Sequence, residues 1–144
     1  MTNHEIDTHQ YSLLEELPSP ESFVALREAN EMTPRPAAGV ADGIQNSLYG
    51  VMVRHNPSDQ AVGMGRVIGD TGMVFQISDM VVHPEHQRCG LGTWIGEHLL
   101  SYIDDSAPSG TEINLFADVD GFYESLGFDE TRPASKGMVQ FVTE

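Results

Sequence analysis

Three apolar runs joined by short turns limit the fold of this chain more than any other feature of its sequence. The runs cover residues 48–55, 61–68 and 73–82, and the turns between them contain NPSD at 56–59 and GDTG at 69–72. Short turns connect antiparallel strands, whereas parallel strands need a crossover of about a dozen residues or more. The sequence therefore predicts an antiparallel meander of three strands.

Residues 90–105 give the clearest helix prediction, because their apolar side chains recur at helical spacing on one face. A second helix is predicted to begin at Ser19-Pro20-Glu21, where a capping hydroxyl precedes a proline and an acid in the first turn. It should run to about Met32, where Pro34 and Pro36 follow. The apolar face of 90–105 consists of Leu91, Trp94, Ile95, Leu99, Tyr102 and Ile103.

The remaining segments complete one α/β domain of the α+β type over residues 1–144. Its sheet is expected to be mixed, mostly antiparallel and flanked by helices. We expect a frayed terminus at 1–8, strands at 11–17 and 112–117, short helices within 37–47 and over 120–126, a left-handed cap at Gly127, and final strands at Phe128 and 138–142.

Charge and cysteine content exclude several classes of protein. The chain has 22 acidic and 7 basic residues and a net charge of −15, so it should not attract a nucleic acid backbone. Its single cysteine, Cys89, cannot form an internal disulfide, and no apolar run approaches the roughly 18 residues of a membrane span. The polar, acidic N-terminus does not resemble a secretory signal. We therefore expect a soluble cytoplasmic protein.

The scarcity of basic residues predicts that salt stabilises this protein. Only one lysine, Lys136, is present among 144 residues, so carboxylate repulsion should be strong at low ionic strength. We expect the melting temperature to rise by about 5 °C or more between about 0.05 M and 2 M KCl, which corresponds to about 2 kcal/mol in the free energy of unfolding for a domain of this size. Thermal unfolding curves at both concentrations would measure this, and an unchanged midpoint would contradict salt adaptation.

A glycine-rich segment between the third strand and the 90–105 helix has the properties of an anion site. Gly90 and Gly92 lie at the start of the helix, where backbone N–H groups lack intrahelical partners. These donors and the helix dipole attract phosphate, and Arg88 can add a positive charge. A P-loop would need a lysine after the glycines, and a dinucleotide fingerprint would need GxGxxG rather than the GxGxxxG found here. The missing lysine excludes the P-loop, and the spacing of the glycines excludes the dinucleotide fingerprint.

Two motifs in this chain resemble those of the GNAT superfamily of acetyl-CoA-dependent N-acetyltransferases. QRCGLG at 87–92 is similar to its (Q/R)xxGx(G/A) pyrophosphate loop, and the preceding SDMVVHP at 78–84 has its V-x-P ending. FYESLGF at 122–128 resembles its YExLGF signature, 36 residues beyond Gln87 when counted to Tyr123. The resemblance implies a GNAT-like domain with splayed central strands.

The resemblance also implies the coenzyme contacts of an acetyltransferase that uses acetyl-CoA and no metal. The backbone of residues 80–82 would bind the pantetheine arm, and the amides of 87–93 the pyrophosphate. Tyr123 would protonate the departing thiolate, a role that suits a positioned phenol. The implied coenzyme-binding residues are Met80, Val81, Val82, Gln87, Arg88, Cys89, Gly90, Leu91, Gly92 and Thr93.

The general base stays open at this stage. Many members of the superfamily use a carboxylate where this chain has Gln76, and an amide cannot accept the proton. Asp79 is the nearest carboxylate, but strand alternation places it on the face opposite Gln76. His83 has a suitable unperturbed pKa, although it lies where the strand leaves the sheet. A chain of water molecules, or an amine that is already neutral, would serve equally well.

The acceptor is expected to be a primary amine on a small molecule, an amino acid or a peptide. The resemblance places the acceptor pocket near residues 32–46, and a homodimer is common among relatives. Two other functions remain open: a non-catalytic acetyl-CoA-binding module, and an acidic protein that binds a basic partner. The polar candidates for substrate contact are Thr33, Arg35, Asn46, Tyr49 and Gln76.

Overall fold

The computed structural model describes residues 5–143 and contains a five-stranded sheet with helices on both faces. The strands lie side by side in chain order. No helix within the described residues is long and apolar enough to cross a membrane. The elements are β1 (Tyr11–Leu14), α1 (Pro20–Ala29), α2 (Ala37–Gln45), β2 (Tyr49–His55), β3 (Gln60–Gly69), β4 (Val74–Val82), α3 (Leu91–Ser106) and β5 (Glu112–Asn114), with short 3-10 helices at Pro84–His86 and Glu124–Leu126.

The predicted meander is confirmed, and the sheet is mixed as expected. Strands β1 to β4 pair antiparallel, and β5 pairs parallel to β4 after the α3 crossover. The β4–β5 pairing covers only Val74–Gln76 against Glu112–Asn114. Residues 77–82 of β4 therefore have no partner in β5, so the two strands part at the end where β4 leads into α3.

Each face of the sheet has its own apolar core. The helix α3 packs through Leu91, Ile95, Leu99 and Ile103, each at most 1% exposed, which confirms the predicted face of this helix. On the other face, α1 and α2 cover a smaller cluster. Ser19 caps α1 as predicted, because its Oγ accepts from the backbone N–H of Ser22 at 3.2 Å. The smaller cluster contains Phe23, Leu26, Val40, Met64 and Val81.

A bulge in β4 interrupts the alternation of its side chains. Arg66 pairs with Ser78 and Met64 with Val81, so Asp79 and Met80 both lie opposite Gly65. Asp79 has a φ of 55°, which is uncommon for a residue other than glycine. A Cβ on Gly65 would lie only 2.8 Å from Leu99 Cδ1, so this glycine allows α3 to approach the bulge closely.

The bulge overturns the predicted orientation of Asp79. Phe75 and Ile77 pack in the α3 core, so Gln76 lies on the α1/α2 face by alternation. Asp79 contacts Arg27 of α1, which places it on the same face as Gln76 rather than the opposite one. The alternation rule failed because one extra residue in β4 reverses every side chain that follows it.

The predicted elements near the C-terminus are the main errors in the fold prediction. Residues 128 and 138–142 form no strands in the described part of the chain, and a 3-10 turn at 124–126 replaces the helix expected over 120–126. Met138–Val142 has strand-forming residues but no neighbouring strand to pair with, and its apolar side chains are exposed. The strands expected at 11–17 and 112–117 are shorter, at 11–14 and 112–114.

The N-terminal prediction is tested by the structure only in part. Residues 1–4 of the segment expected to be frayed lie outside the described residues. Beyond them, Ile6 packs against the α3 core, and the Asp7 carbonyl accepts hydrogen bonds from the N–H groups of Gln10 and Tyr11.

Candidate active site

The opening between β4 and β5 offers a free strand edge. Gln76 and Asn114 face each other where the pairing ends, and the Gln76 side-chain amide donates to Asn114 Oδ1 at 3.1 Å. Beyond this pair, Met80, Val81 and Val82 lie along the edge of β4 that β5 does not cover. Their backbone can hydrogen-bond an extended ligand in the way that an added strand would.

The start of α3 follows this edge in the chain after residues 83–89 and has the geometry of an anion site. Gly90 caps the helix with φ 84° and ψ 4°, in the left-handed region. Trp94 is the first residue of α3 whose N–H bonds back into the helix, at 3.1 Å from the Gly90 carbonyl. The N–H groups of Leu91, Gly92 and Thr93 therefore lack intrahelical acceptors and are available to phosphate oxygens.

Side chains around this loop hold it against the rest of the fold. Gln87 Nε2 donates to the Val82 carbonyl at 3.0 Å and lies 3.4 Å from Asn30 Oδ1 at the end of α1. Arg88 is exposed with a φ of 65°, so its guanidinium is free to meet an anion. Leu91 is buried in the core, which leaves only its backbone for a ligand. Cys89 Sγ lies 3.6 Å from the Gln87 carbonyl oxygen.

Tyr123 is a buried phenol in the segment that packs against the start of α3. It is 8% exposed and lies beside the rings of Phe122 and Phe128, at centroid distances of 5.0 and 6.4 Å. Burial raises the pKa of Tyr123 to about 12, and the Asp118 carboxylate adds to the shift. The phenol therefore stays protonated at neutral pH, as a proton donor must.

Comparison with known proteins agrees with this geometry. The sequence profile described as "Acetyltransferase (GNAT) domain" matches residues 46–130, which include the free strand edge, the glycine-rich loop and Tyr123. The chain belongs to the GNAT acetyltransferase family. The fold class inferred from its sequence is confirmed by a solved structure from Staphylococcus aureus, described as a probable acetyltransferase. That protein is 34% identical with a TM-score of 0.86, over 92% of this chain and 99% of its own.

Curated relatives of this GNAT protein are longer than the chain itself. An uncharacterized N-acetyltransferase, ycf52, from Pyropia yezoensis is 32% identical over 72% of this chain and 61% of its own length. The chloroplastic GCN5-related N-acetyltransferase 1 of Arabidopsis thaliana is 33% identical over 73% of this chain and 53% of its own. The chain thus spans roughly half to three-fifths of the curated relatives it matches.

Gln76 and the two residues considered as a base, Asp79 and His83, occupy different surroundings in this GNAT domain. Gln76 lies at the apex of the β4–β5 opening, bonded to Asn114. Asp79 is buried on the α1/α2 face, with both carboxylate oxygens bound by arginines. His83 lies just beyond β4, and its Nδ1 accepts from the Glu85 backbone N–H at 3.1 Å.

The candidate acceptor residues are not all brought together. Thr33 and Arg35 lie in the exposed connection between α1 and α2, and Asn46 caps the end of α2. Tyr49 pairs with Val67 and stacks on Tyr102 of α3 at 4.5 Å, which places it on the opposite face of the sheet from Gln76. Its hydroxyl donates to Glu15 at 2.7 Å.

Sequence reasoning missed two residues that shape this site. Arg27 and Arg66 both bind Asp79, and neither was singled out. A signal for Arg27 was present, because it lies four residues after Phe23 and beside Leu26 on the buried face of α1. A charged residue on such a face requires a partner of opposite charge.

Proposed function

We propose that this GNAT domain transfers an acetyl group from acetyl-CoA to a primary amine by direct attack in a ternary complex. The observation that carries the proposal is the continuity of the free β4 edge with the glycine-capped start of α3. An extended thiol arm along residues 80–82 would end in a pyrophosphate at the amides of 91–93. That arrangement fits a long ligand with an anionic centre.

The transfer needs a proton donor for the departing thiolate and a route by which the attacking amine loses its proton. The amine nitrogen attacks the thioester carbon, the C–S bond breaks, and the sulfur takes the proton of the Tyr123 hydroxyl. The pKa of Tyr123, raised to about 12 by burial, keeps that proton in place until the thiolate forms. The tyrosinate then recovers a proton from solvent.

Neither Gln76 nor Asp79 is well placed to take the proton of the amine. The Gln76 amide is not basic, and the carboxylate of Asp79 is engaged by Arg27 and Arg66. We propose that the amine binds in its neutral form, or loses its proton through water to bulk solvent. Turnover should then rise with pH over the range in which the free amine deprotonates.

Acetyl-CoA is expected to raise the melting temperature of this protein by about 5–10 °C. A ligand at about 100 times its dissociation constant adds about 2.7 kcal/mol to the free energy of unfolding, which corresponds to this rise for a domain of about 150 residues. Differential scanning fluorimetry in molar salt would measure it, with NAD as the control nucleotide. Equal shifts with both ligands, or none with either, would contradict the proposal.

A non-catalytic coenzyme-binding module is the second candidate, favoured by the amide at position 76. Spermidine, a lysine-containing peptide and an amino acid amide would serve as acceptor probes, with released coenzyme thiol as the readout. Thiol release that depends on one of the amines supports transfer. A thermal shift without thiol release across a wider amine panel would favour the module. An acidic interaction protein would give neither a thermal shift with acetyl-CoA nor thiol release.

A further inference from the structure

A buried ion cluster is centred on Asp79, in the stretch of β4 that has no partner in β5. The Asp79 side chain is 1% exposed, and its partner Arg27 is 5% exposed. Asp79 Oδ1 accepts from Arg27 Nη1, and Oδ2 lies 2.6 Å from Arg66 Nε. The Ser78 hydroxyl lies 3.3 Å from Oδ2. Both carboxylate oxygens are thus occupied by guanidinium groups.

Each guanidinium uses a further nitrogen to hold one end of residues 33–47. Arg27 Nη2 donates to the Thr33 carbonyl at 2.5 Å, just after α1. Arg66 Nη1 donates to the Ser47 hydroxyl at 3.2 Å and to the Gly43 carbonyl at 3.4 Å, at the end of α2. One carboxylate therefore connects, through two arginines, to both ends of this segment.

Apolar packing holds the same segment only near its middle and the end of α2. Val40 is its one buried residue, and Ile44 is partly buried against the smaller core. Residues 33–39 are all exposed. The polar contacts therefore fix the two ends of the segment, where apolar packing contributes little.

The end of α1, which leads into this segment, contacts the proposed coenzyme loop. Asn30, three residues before Thr33, lies 3.4 Å from Gln87 Nε2. At the other side, Asp79 belongs to the stretch of β4 that β5 leaves unpaired. The ion cluster thus joins the strand edge proposed to hold the coenzyme to the segment beside it.

We infer that Asp79, acting through Arg27 and Arg66, is a positioning residue that holds residues 33–47 on the α1/α2 face of the sheet, beside the stretch of β4 that β5 leaves unpaired. The inference rests on the proposed function in one respect, since this is where an acceptor amine would approach the thioester. Asp79 acts as a fixed anion rather than as a base, because a carboxylate that binds two guanidinium groups cannot also take a proton from the substrate without breaking those contacts.

Hydrogen exchange of the protein without ligand tests the positioning role directly. In Asp79→Asn we expect amides in 33–47 to exchange at least about tenfold faster, while amides of β2 and β3 keep their rates. Asp59→Asn is the matched control, because it removes an exposed ion pair with Arg54 at 3.6 Å. Unchanged exchange in 33–47 of Asp79→Asn would overturn the inference.

A second variant keeps the test decisive if Asp79→Asn does not fold. Arg66→Lys retains the positive charge beside Asp79 but cannot reach the carboxylate and Ser47 together. We expect faster exchange confined to residues 43–47 in this variant. Exchange that stays unchanged there, or that rises equally across the whole sheet, would show that the cluster is not a positioning device.

Kinetics with an acceptor amine from the panel above separate positioning from base catalysis. Asp79→Asn should raise the KM for the amine by about tenfold, lower kcat less, and leave the shape of the pH profile of kcat unchanged. A base would instead lose most of kcat, together with one limb of that profile. If wild-type protein fails to bind acetyl-CoA, the proposed function fails, and the exchange result stands independently.

Discussion

Replacing Gly90 with valine is expected to weaken acetyl-CoA binding by about 10–100-fold, because the residue must adopt a left-handed conformation to expose the amides that follow it. Gly90 has a φ of 84°, which a β-branched residue adopts only with strain on the order of 1–3 kcal/mol. Relief of that strain would turn the amides of Leu91 and Gly92 away from the anion. Isothermal titration of acetyl-CoA would measure the loss.

A glycine at the other end of α3 provides the matched control for this substitution. Gly110 has a φ of 90°, with no atom within 4 Å of the position its Cβ would take. Gly110→Val therefore imposes similar backbone strain, far from the glycine-rich loop, and should lower stability while leaving coenzyme affinity unchanged. Equal affinity in Gly90→Val and wild type would contradict the phosphate-binding role of the loop.

The parts of the fold that depend on local sequence patterns were predictable. The turns at 56–59 and 69–72 predicted the meander, and the spacing of apolar residues predicted α3, because both signals act over a few neighbouring residues. The strand expected at 138–142 shows the limit of such patterns. Its residues favour an extended conformation, but a strand also needs a neighbour, and sequence propensity does not supply one.

In the candidate site, too, the parts set by consecutive residues were predictable, and the parts set by residues distant in the chain were not. Gly90 and the α3 entry were predictable because the chemistry of a helix start lies in consecutive residues. The surroundings of Asp79 were not, because they depend on a bulge opposite Gly65 and on arginines 52 and 13 residues away in the chain. Alternation alone therefore gave this carboxylate the wrong face and left its two partners unidentified.

The bulge also explains how β4 can present a charged residue to one face of the sheet and an apolar residue to the other. It turns Asp79 toward α1, where the carboxylate meets Arg27, and it turns Met80 toward α3 and the main core. A regular strand would have directed this carboxylate into the apolar core beneath α3, where burying an unpaired charge is costly. The strain of the left-handed conformation at Asp79 is thus offset by the ion contacts that this conformation permits.

Replacing Tyr123 with phenylalanine is expected to lower kcat by about 100-fold or more, the usual contribution of a positioned general acid. Burial raises the pKa of Tyr123 to about 12, so the wild-type phenol should stay protonated at pH 9 and 10, and its titration should not reduce turnover there. The variant keeps the ring that packs beside Phe122 and Phe128, so the fold and the affinity for acetyl-CoA should change little. Steady-state rates of thiol release and titration calorimetry would measure the two effects.

Tyr102→Phe is the control that separates a chemical role from the loss of any partly buried hydroxyl. Tyr102 lies on α3 and stacks on Tyr49 at 4.5 Å, on the face of the sheet away from Gln76. Its hydroxyl is remote from the proposed transfer, so kcat should stay within about twofold of wild type, since surface-side changes of this kind rarely exceed about 0.5 kcal/mol. If Tyr123→Phe also retains wild-type kcat, the thiolate must take its proton from water, and the buried phenol serves packing alone. If only Tyr123→Phe is slow while coenzyme affinity is intact, the hydroxyl acts in the transition state for C–S cleavage rather than in coenzyme binding.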